Sequence, residues 1–142
     1  MTLSQVVEKL KEIGASNKFI NTTGEGDIYD YVDNGGEIVY PVMWILTTPS
    51  TITDRTNVYR ISLLFADLLL EDKSNRLTIQ SDQMLVARDI VAKIDMTNYP
   101  FVINKNIPIR FFQERFDDFT AGVMIDIELT DPTPFDLCSA AF

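Results

Sequence analysis

The side chains in this sequence best able to do chemistry are carboxylates. Asp126 and Glu128 stand two apart in a segment that alternates apolar and polar residues. At that spacing a metal-dependent nuclease can present an acidic pair from one strand face, with a nearby lysine to activate water. Here Ile127 and Leu129 frame the pair and no lysine follows, so a solvated strand face is the better reading. Asp117 and Asp118, beside Glu114 and Arg115, read the same way. Asp27 and Asp30 have glycines nearby but lack the ligand spacing of a calcium-binding EF-hand. Gly24-Glu25-Gly26 lacks the further glycines and the helix start of a phosphate cradle, and reads as a turn. Cys138 has nothing basic beside it to favour a thiolate, and reads as a small packed side chain.

Composition narrows the chemistry further. The 142 residues include no histidine, which removes Ser-His-Asp and Cys-His triads, imidazole metal sites and the commonest general base near neutral pH. A single cysteine offers no internal disulfide and no zinc site, so the fold must rest on packing. Twelve Lys and Arg against 21 Asp and Glu give a net charge of −9, the opposite of the clustered basic surface that grips nucleic acid. With 46% hydrophobic and 23% charged residues the chain has a globular composition, and its length suits one domain, residues 1–142. No stretch approaches the roughly 18 apolar residues of a membrane span, and no basic region followed by an apolar run opens the chain. A cytoplasm-like space is the expectation.

The elements that must position these residues follow from periodicity. Leu3, Val6, Val7, Leu10 and Ile13 recur at helical spacing, with Thr2 or Ser4 as the cap and Gly14 placed for a left-handed end. A short, irregular strand is expected around Gly24 to Val32. Asn34-Gly35-Gly36 signals a turn leading into Glu37 to Thr48, a β-rich run in which Pro41 marks a strand start, a bulge or an edge. In Val58 to Leu70, Tyr59, Ile61, Leu63 and Phe65 face one way, and Arg60, Ser62, Leu64 and Ala66 the other. The two runs make a long antiparallel hairpin joined by a polar loop, longer than a tight turn needs. Ser81 and Asp82 are placed to cap a second helix running to about Ile94, its buried stripe Met84, Ala87, Val91 and Ile94. Strands are expected at Phe101 to Ile103, Ile107 to Glu114 and Ala121 to Thr130. An apolar tail, about 131–142, closes the chain. This order predicts an α+β fold, a mostly antiparallel sheet with two helices packed on one face. Trp44 is assigned to the core or a subunit interface. The exposed tail, the sheet edges and the hairpin loop belong to a chain that meets other chains.

The helix, the glycine-containing strand from Gly24 to Val32, the hairpin opened by Tyr40-Pro41-Val42-Met43-Trp44, the Ser81-Asp82 helix with Asp89 and the closing β pair together resemble small tail-terminator or tail-completion proteins of tailed bacteriophages. Tyr40 to Trp44, Ile79 to Ile90, and Phe112 through Cys138 are similar to short virion ring proteins of phages infecting gut Bacteroidales, including crAss-like phages. The resemblance implies a tail-terminator-like fold and a structural role: a ring at the head–tail junction or tail, around the conduit through which DNA passes. It implies self-association into rings of six or twelve, and contact with adjacent portal, neck or tail ring proteins. It further implies location in the virion neck or tail after assembly in the host cytoplasm, and no cofactor, catalytic residue, bound metal or membrane.

Carried onto this chain, the hairpin strands are scaffold, and Thr48, Thr51, Thr53, Asp54, Arg55 and Asn57 in the loop, with Phe135, Leu137 and Phe142 in the tail, are the subunit-interface or lumen candidates. A carboxylate-lined lumen would repel DNA phosphates and let DNA slide past without specific binding; equally, the acidity would keep the free subunit soluble. Two other readings stay open: a monomeric adaptor or inhibitor binding a host protein through a sheet edge, and the nuclease built on Asp126 and Glu128.

Overall fold

The computed structural model describes residues 2–27, 31, 33–97, 99–113 and 119–132. Two helices and seven strands have their bounds among these residues: α1 (Leu3–Ser16), β1 (Thr22–Glu25), β2 (Val42–Thr47), β3 (Thr51–Thr53), β4 (Thr56–Leu68), α2 (Arg76–Met96), β5 (Val102–Ile103), β6 (Ile109–Gln113) and β7 (Thr120–Thr130). The strands form a single sheet in the order β1-β2-β4-β7-β5, with β3 added to β4 and β6 to β7. Every pairing is antiparallel except β1 with β2. The fold is α+β, a mostly antiparallel sheet with both helices on one face, as the order of elements predicts.

β4 and β7 run side by side from Val58↔Thr130 to Leu68↔Thr120 and form the spine of the sheet. Their alternation is the one read from sequence. Ile61, Leu63, Phe65, Val123, Ile125, Ile127 and Leu129 face the helices and join Val6, Leu10, Ile13, Val86, Ile90 and Ile94 in the main core. Among the described residues the opposite face is covered only in part. There Val42, Trp44, Leu64, Ala66 and Met124 make a second, smaller core beneath Tyr31, Ile38, Tyr40 and Phe112. Trp44 is fully buried within the chain, which places it in the core and not at a subunit interface.

Helix α1 starts as the sequence dictates. The Thr2 hydroxyl accepts from Gln5 N–H at 3.2 Å, and Gln5 Oε1 accepts from Thr2 N–H at 2.8 Å, a closed capping box. Its end differs from expectation. The helix runs through Gly14 to Ser16, and Gly14 is buried in the last turn without a positive φ. A Cβ there would meet Met43 Sδ and Thr23 Oγ1 at 2.9 Å, so this glycine permits close approach of helix to sheet instead of a left-handed cap.

Helix α2 also departs from the reading. It begins at Arg76, and Ser81 and Asp82 lie inside it on its exposed surface. Its buried side is Ile79, Gln80, Gln83, Val86, Ala87, Ile90 and Ile94, with Met84 and Val91 half-buried. Two glutamines interrupt the apolar stripe, which hid the first turn. Asn75 precedes the helix without capping it, because its carboxamide accepts from Leu70 N–H at 2.8 Å.

Pro41 lies immediately before β2, across a cis Tyr40–Pro41 peptide, so the strand starts after it. Gly24 is not in a turn: it is a residue of β1 paired with Trp44, and of Gly24 and Gly26 only the latter takes a positive φ. The expected strand over 24–32 reduces to Thr22–Glu25 among the described residues. At the far edge β5 and β6 both pair with β7, separated by residues 104–108, so the two expected strands form one interrupted edge.

Candidate interaction surface

The segment from Thr48 to Asn57, expected as a polar loop, is itself β structure. Between the pairs Thr47↔Ile61 and Thr51↔Val58, residues 48–50 oppose residues 59–60, one extra residue in a β-bulge that contains Pro49. Hydroxyls fix the bulge. Thr48 Oγ1 donates to Arg60 C=O at 2.6 Å, Arg60 N–H donates to Ser50 Oγ at 3.0 Å, and Ser50 Oγ donates to Thr48 C=O at 3.1 Å. Beyond it β3 pairs with the start of β4 up to Thr53↔Thr56.

Asp54 and Arg55 alone close the turn, at φ 50° and 63°. Two positive φ values in a two-residue hairpin are the type I′ arrangement, whose twist matches that of the strands. Thr56 Oγ1 donates to Thr53 C=O at 2.5 Å across the turn. The glycine that normally announces such a turn is absent, which explains why the sequence reads as loop. The available signal is the β-branched flanks, Thr51-Ile52-Thr53 and Thr56-Asn57-Val58.

The candidates therefore occupy distinct places on a preorganised tip. Thr51, Thr53, Asp54 and Arg55 are exposed, while Thr48 and Asn57 are half-buried at its base. Ile52, not singled out from sequence, is 69% exposed beside them. Past Val58↔Thr130 the tip has no strand neighbour outside the hairpin among the described residues, and Asn57 C=O accepts from Asp131 N–H at 3.0 Å where it leaves the sheet. Phe135, Leu137 and Phe142, like Cys138, Glu114, Arg115, Asp117 and Asp118, lie outside the described residues.

On the open part of the second face, Asp126 and Glu128 point into a polar network. Asp126 Oδ1 accepts from Ser62 Oγ at 2.6 Å and from Arg110 Nη2 at 2.9 Å, and Glu128 lies 3.8 Å from Arg60 Nε. Register produces these partners, since Ser62 stands opposite Asp126 and Arg60 opposite Glu128. Cross-strand arginines thus hold the two carboxylates, and among the described residues no group of three Asp, Glu, Cys or His side chains converges as a metal site.

Two grooves flank α2, and neither was legible in the sequence. One, of about 450 Å³, lies between α2 and the β5–β6 edge, lined by Met84, Ala87, Val91, Ile103, Ile107 and Ile109, with the Lys105–Asp95 pair at 3.9 Å on its rim. The other, of about 700 Å³, lies between α2 and the connection from α1 to β1. Its walls include Phe19, Pro41 and Leu85, its rim Asp67, Asp82 and Asp89, and Gln83 lines it from below. No helix among the described residues is long and apolar enough to cross a membrane. Comparison with protein-family models and with curated proteins finds no match for this chain.

Proposed function

We propose that this chain is a structural virion protein that forms a ring at the head–tail junction or tail of a tailed bacteriophage, joining neighbouring rings around the DNA conduit. The observation that carries the reading is the hairpin tip, an exposed β element stiffened by its own hydroxyls that leaves the sheet with nothing among the described residues packed over Thr51 to Arg55. A segment that is ordered and exposed costs little further conformational entropy when it meets a partner, which is the economy an assembly contact needs. Each subunit would offer two different patches to its neighbours, and the rotation between them closes the ring at six or twelve copies. Portal, neck or tail ring proteins would lie above and below it. The −9 charge suits a subunit beside DNA that slides past without being held.

A second reading, the monomeric sheet-edge adaptor, is favoured by β6, an edge strand on which Phe111 is 56% and Ile109 38% exposed. Purified particles separate the two. The ring reading expects this chain in the particle at six or twelve copies by quantitative mass spectrometry, with antibody labelling at the neck or tail. Its absence from purified particles would overturn the ring and leave the adaptor.

A further inference from the structure

Gln83 is only 4% exposed, yet its Oε1 has no hydrogen-bond partner among the described residues. A buried acceptor left unpaired is costly, and in native proteins such a group usually has a partner that binds it. The residue lines the groove between α2 and the α1–β1 connection, and the terminal torsion of a glutamine is broad enough to turn its oxygen toward a guest. Three carboxylates, Asp67, Asp82 and Asp89, stand on the rim. Lys18, the cation of that rim, lies with its Nζ 5.2 Å from the ring of Phe19. The guest that satisfies this site carries positive charge, several N–H donors and an apolar stem to lie along Phe19 and Leu85, which are 55% and 54% exposed. An arginine side chain has all of these.

The chain presents such an arginine. Arg55 is exposed at the hairpin tip and makes no ion pair among the described residues, and Ile52 stands beside it, 69% exposed. The tip and the groove lie at opposite ends of β4. Asp67 is ten residues from Asn57 along that strand, about 33 Å at the usual rise, so one copy cannot fill its own groove. We infer that the groove takes the hairpin tip of a second copy, with Arg55 entering between the carboxylates to reach Gln83 and Ile52 resting on the apolar wall. The contact joins two different surfaces, so it propagates head to tail and ends in a closed ring or an open filament. It rests on the ring reading and names the surfaces that such a ring uses.

The test is cross-linking of the full chain in a Cys138→Ser background. A copy carrying Thr53→Cys, which keeps Arg55, is mixed with one carrying Ser81→Cys, an exposed position beside the groove that keeps all three carboxylates, and treated with a short thiol-reactive cross-linker. The control pairs Thr53→Cys with Glu8→Cys on the outer surface of α1. The expected result is a linked heterodimer about tenfold above the control, with Arg55→Glu introduced into the Ser81→Cys copy leaving that yield unchanged, because that copy contributes only its groove. Gln83→Leu in the groove copy is expected to lower the yield about tenfold, the loss of one hydrogen bond to a charged group. A yield equal to the control overturns the contact, even if particles contain the chain in rings. A selective cross-link in a chain absent from purified particles supports the contact and overturns the virion reading.

Discussion

The six-membered ring of Trp44 occupies the space over Gly24 in which a side chain would stand, and the two residues are direct partners in the β1–β2 pair. The indole Nε1–H then donates to Gly26 C=O at 2.7 Å, and Tyr31 meets the indole edge-on with centroids 5.3 Å apart. One large residue thereby fastens a four-residue parallel edge strand to the sheet and builds the second core around itself. Gly24→Ala forces the indole out of this position, and overpacking of that kind costs about 1–3 kcal/mol. The expected result is a lower melting temperature and a change in tryptophan fluorescence, with the main core under the helices retained. Unchanged stability and emission would contradict the packing described.

Asp126 holds two donors of different worth. Arg110 and Asp126 are 60% and 41% exposed on their side chains, so their ion pair contributes little. Ser62 is 4% exposed, and Asp126 is the acceptor of its hydroxyl. Asp126→Ala is therefore expected to cost about 1–2 kcal/mol, chiefly by orphaning that hydroxyl, and Arg110→Ala less than about 1 kcal/mol. Adding Ser62→Ala to Asp126→Ala should return part of the loss, which a double-mutant cycle by urea denaturation measures. Strict additivity would show that the pair is not coupled.

Asp72 has its carboxyl held below the ordinary value of 3.8, first by the Ser74 backbone N–H, which donates at 3.0 Å, and then by the Ser74 hydroxyl. A carboxyl depressed in the folded state adds stability that is full above its unfolded value and is lost as pH falls through the folded one. Its titration followed by NMR should therefore have a midpoint below 3.8. Ser74→Ala should raise that midpoint only part of the way, because the backbone donor remains. A midpoint at or above the ordinary value would remove the assignment.

What the sequence discloses divides along a physical line. β4, β7 and α1 are legible because one face of each meets a continuous apolar layer, and a period of two or of three to four survives in the residue types. Pro41 is legible because a missing N–H cannot be hidden. Gly14 and Gly24 read as turn glycines, but their role is set by Met43, Thr23 and Trp44, neighbours that no local pattern reveals. The start of α2 is masked by Gln80, which is buried because its amide donates to Phe112 C=O at 3.0 Å, and by Gln83. The hairpin tip reads as a polar loop because its turn carries no glycine, whereas residues 51–53 and 56–58 pair as strands. The groove beside α2 joins residues 18–21, 41, 67 and 82–89, and only the fold brings them together.

The turn at the tip offers a substitution that separates folding from assembly. Asp54 and Arg55 both sit at positive φ, where a non-glycine residue is disfavoured and a type I′ turn prefers glycine at its second position. Arg55→Gly relieves that conformation, and a gain of about 0.5–1 kcal/mol is expected, offset slightly by the freer unfolded chain. If Arg55 were retained only to close the turn, the glycine variant would match or exceed the parent in every assay. If its guanidinium is the group that enters the neighbouring groove, the same variant melts higher while its self-association weakens. Thermal denaturation and sedimentation on one sample read both quantities. A variant that melts higher and associates as strongly as the parent would leave Arg55 with no part in the contact.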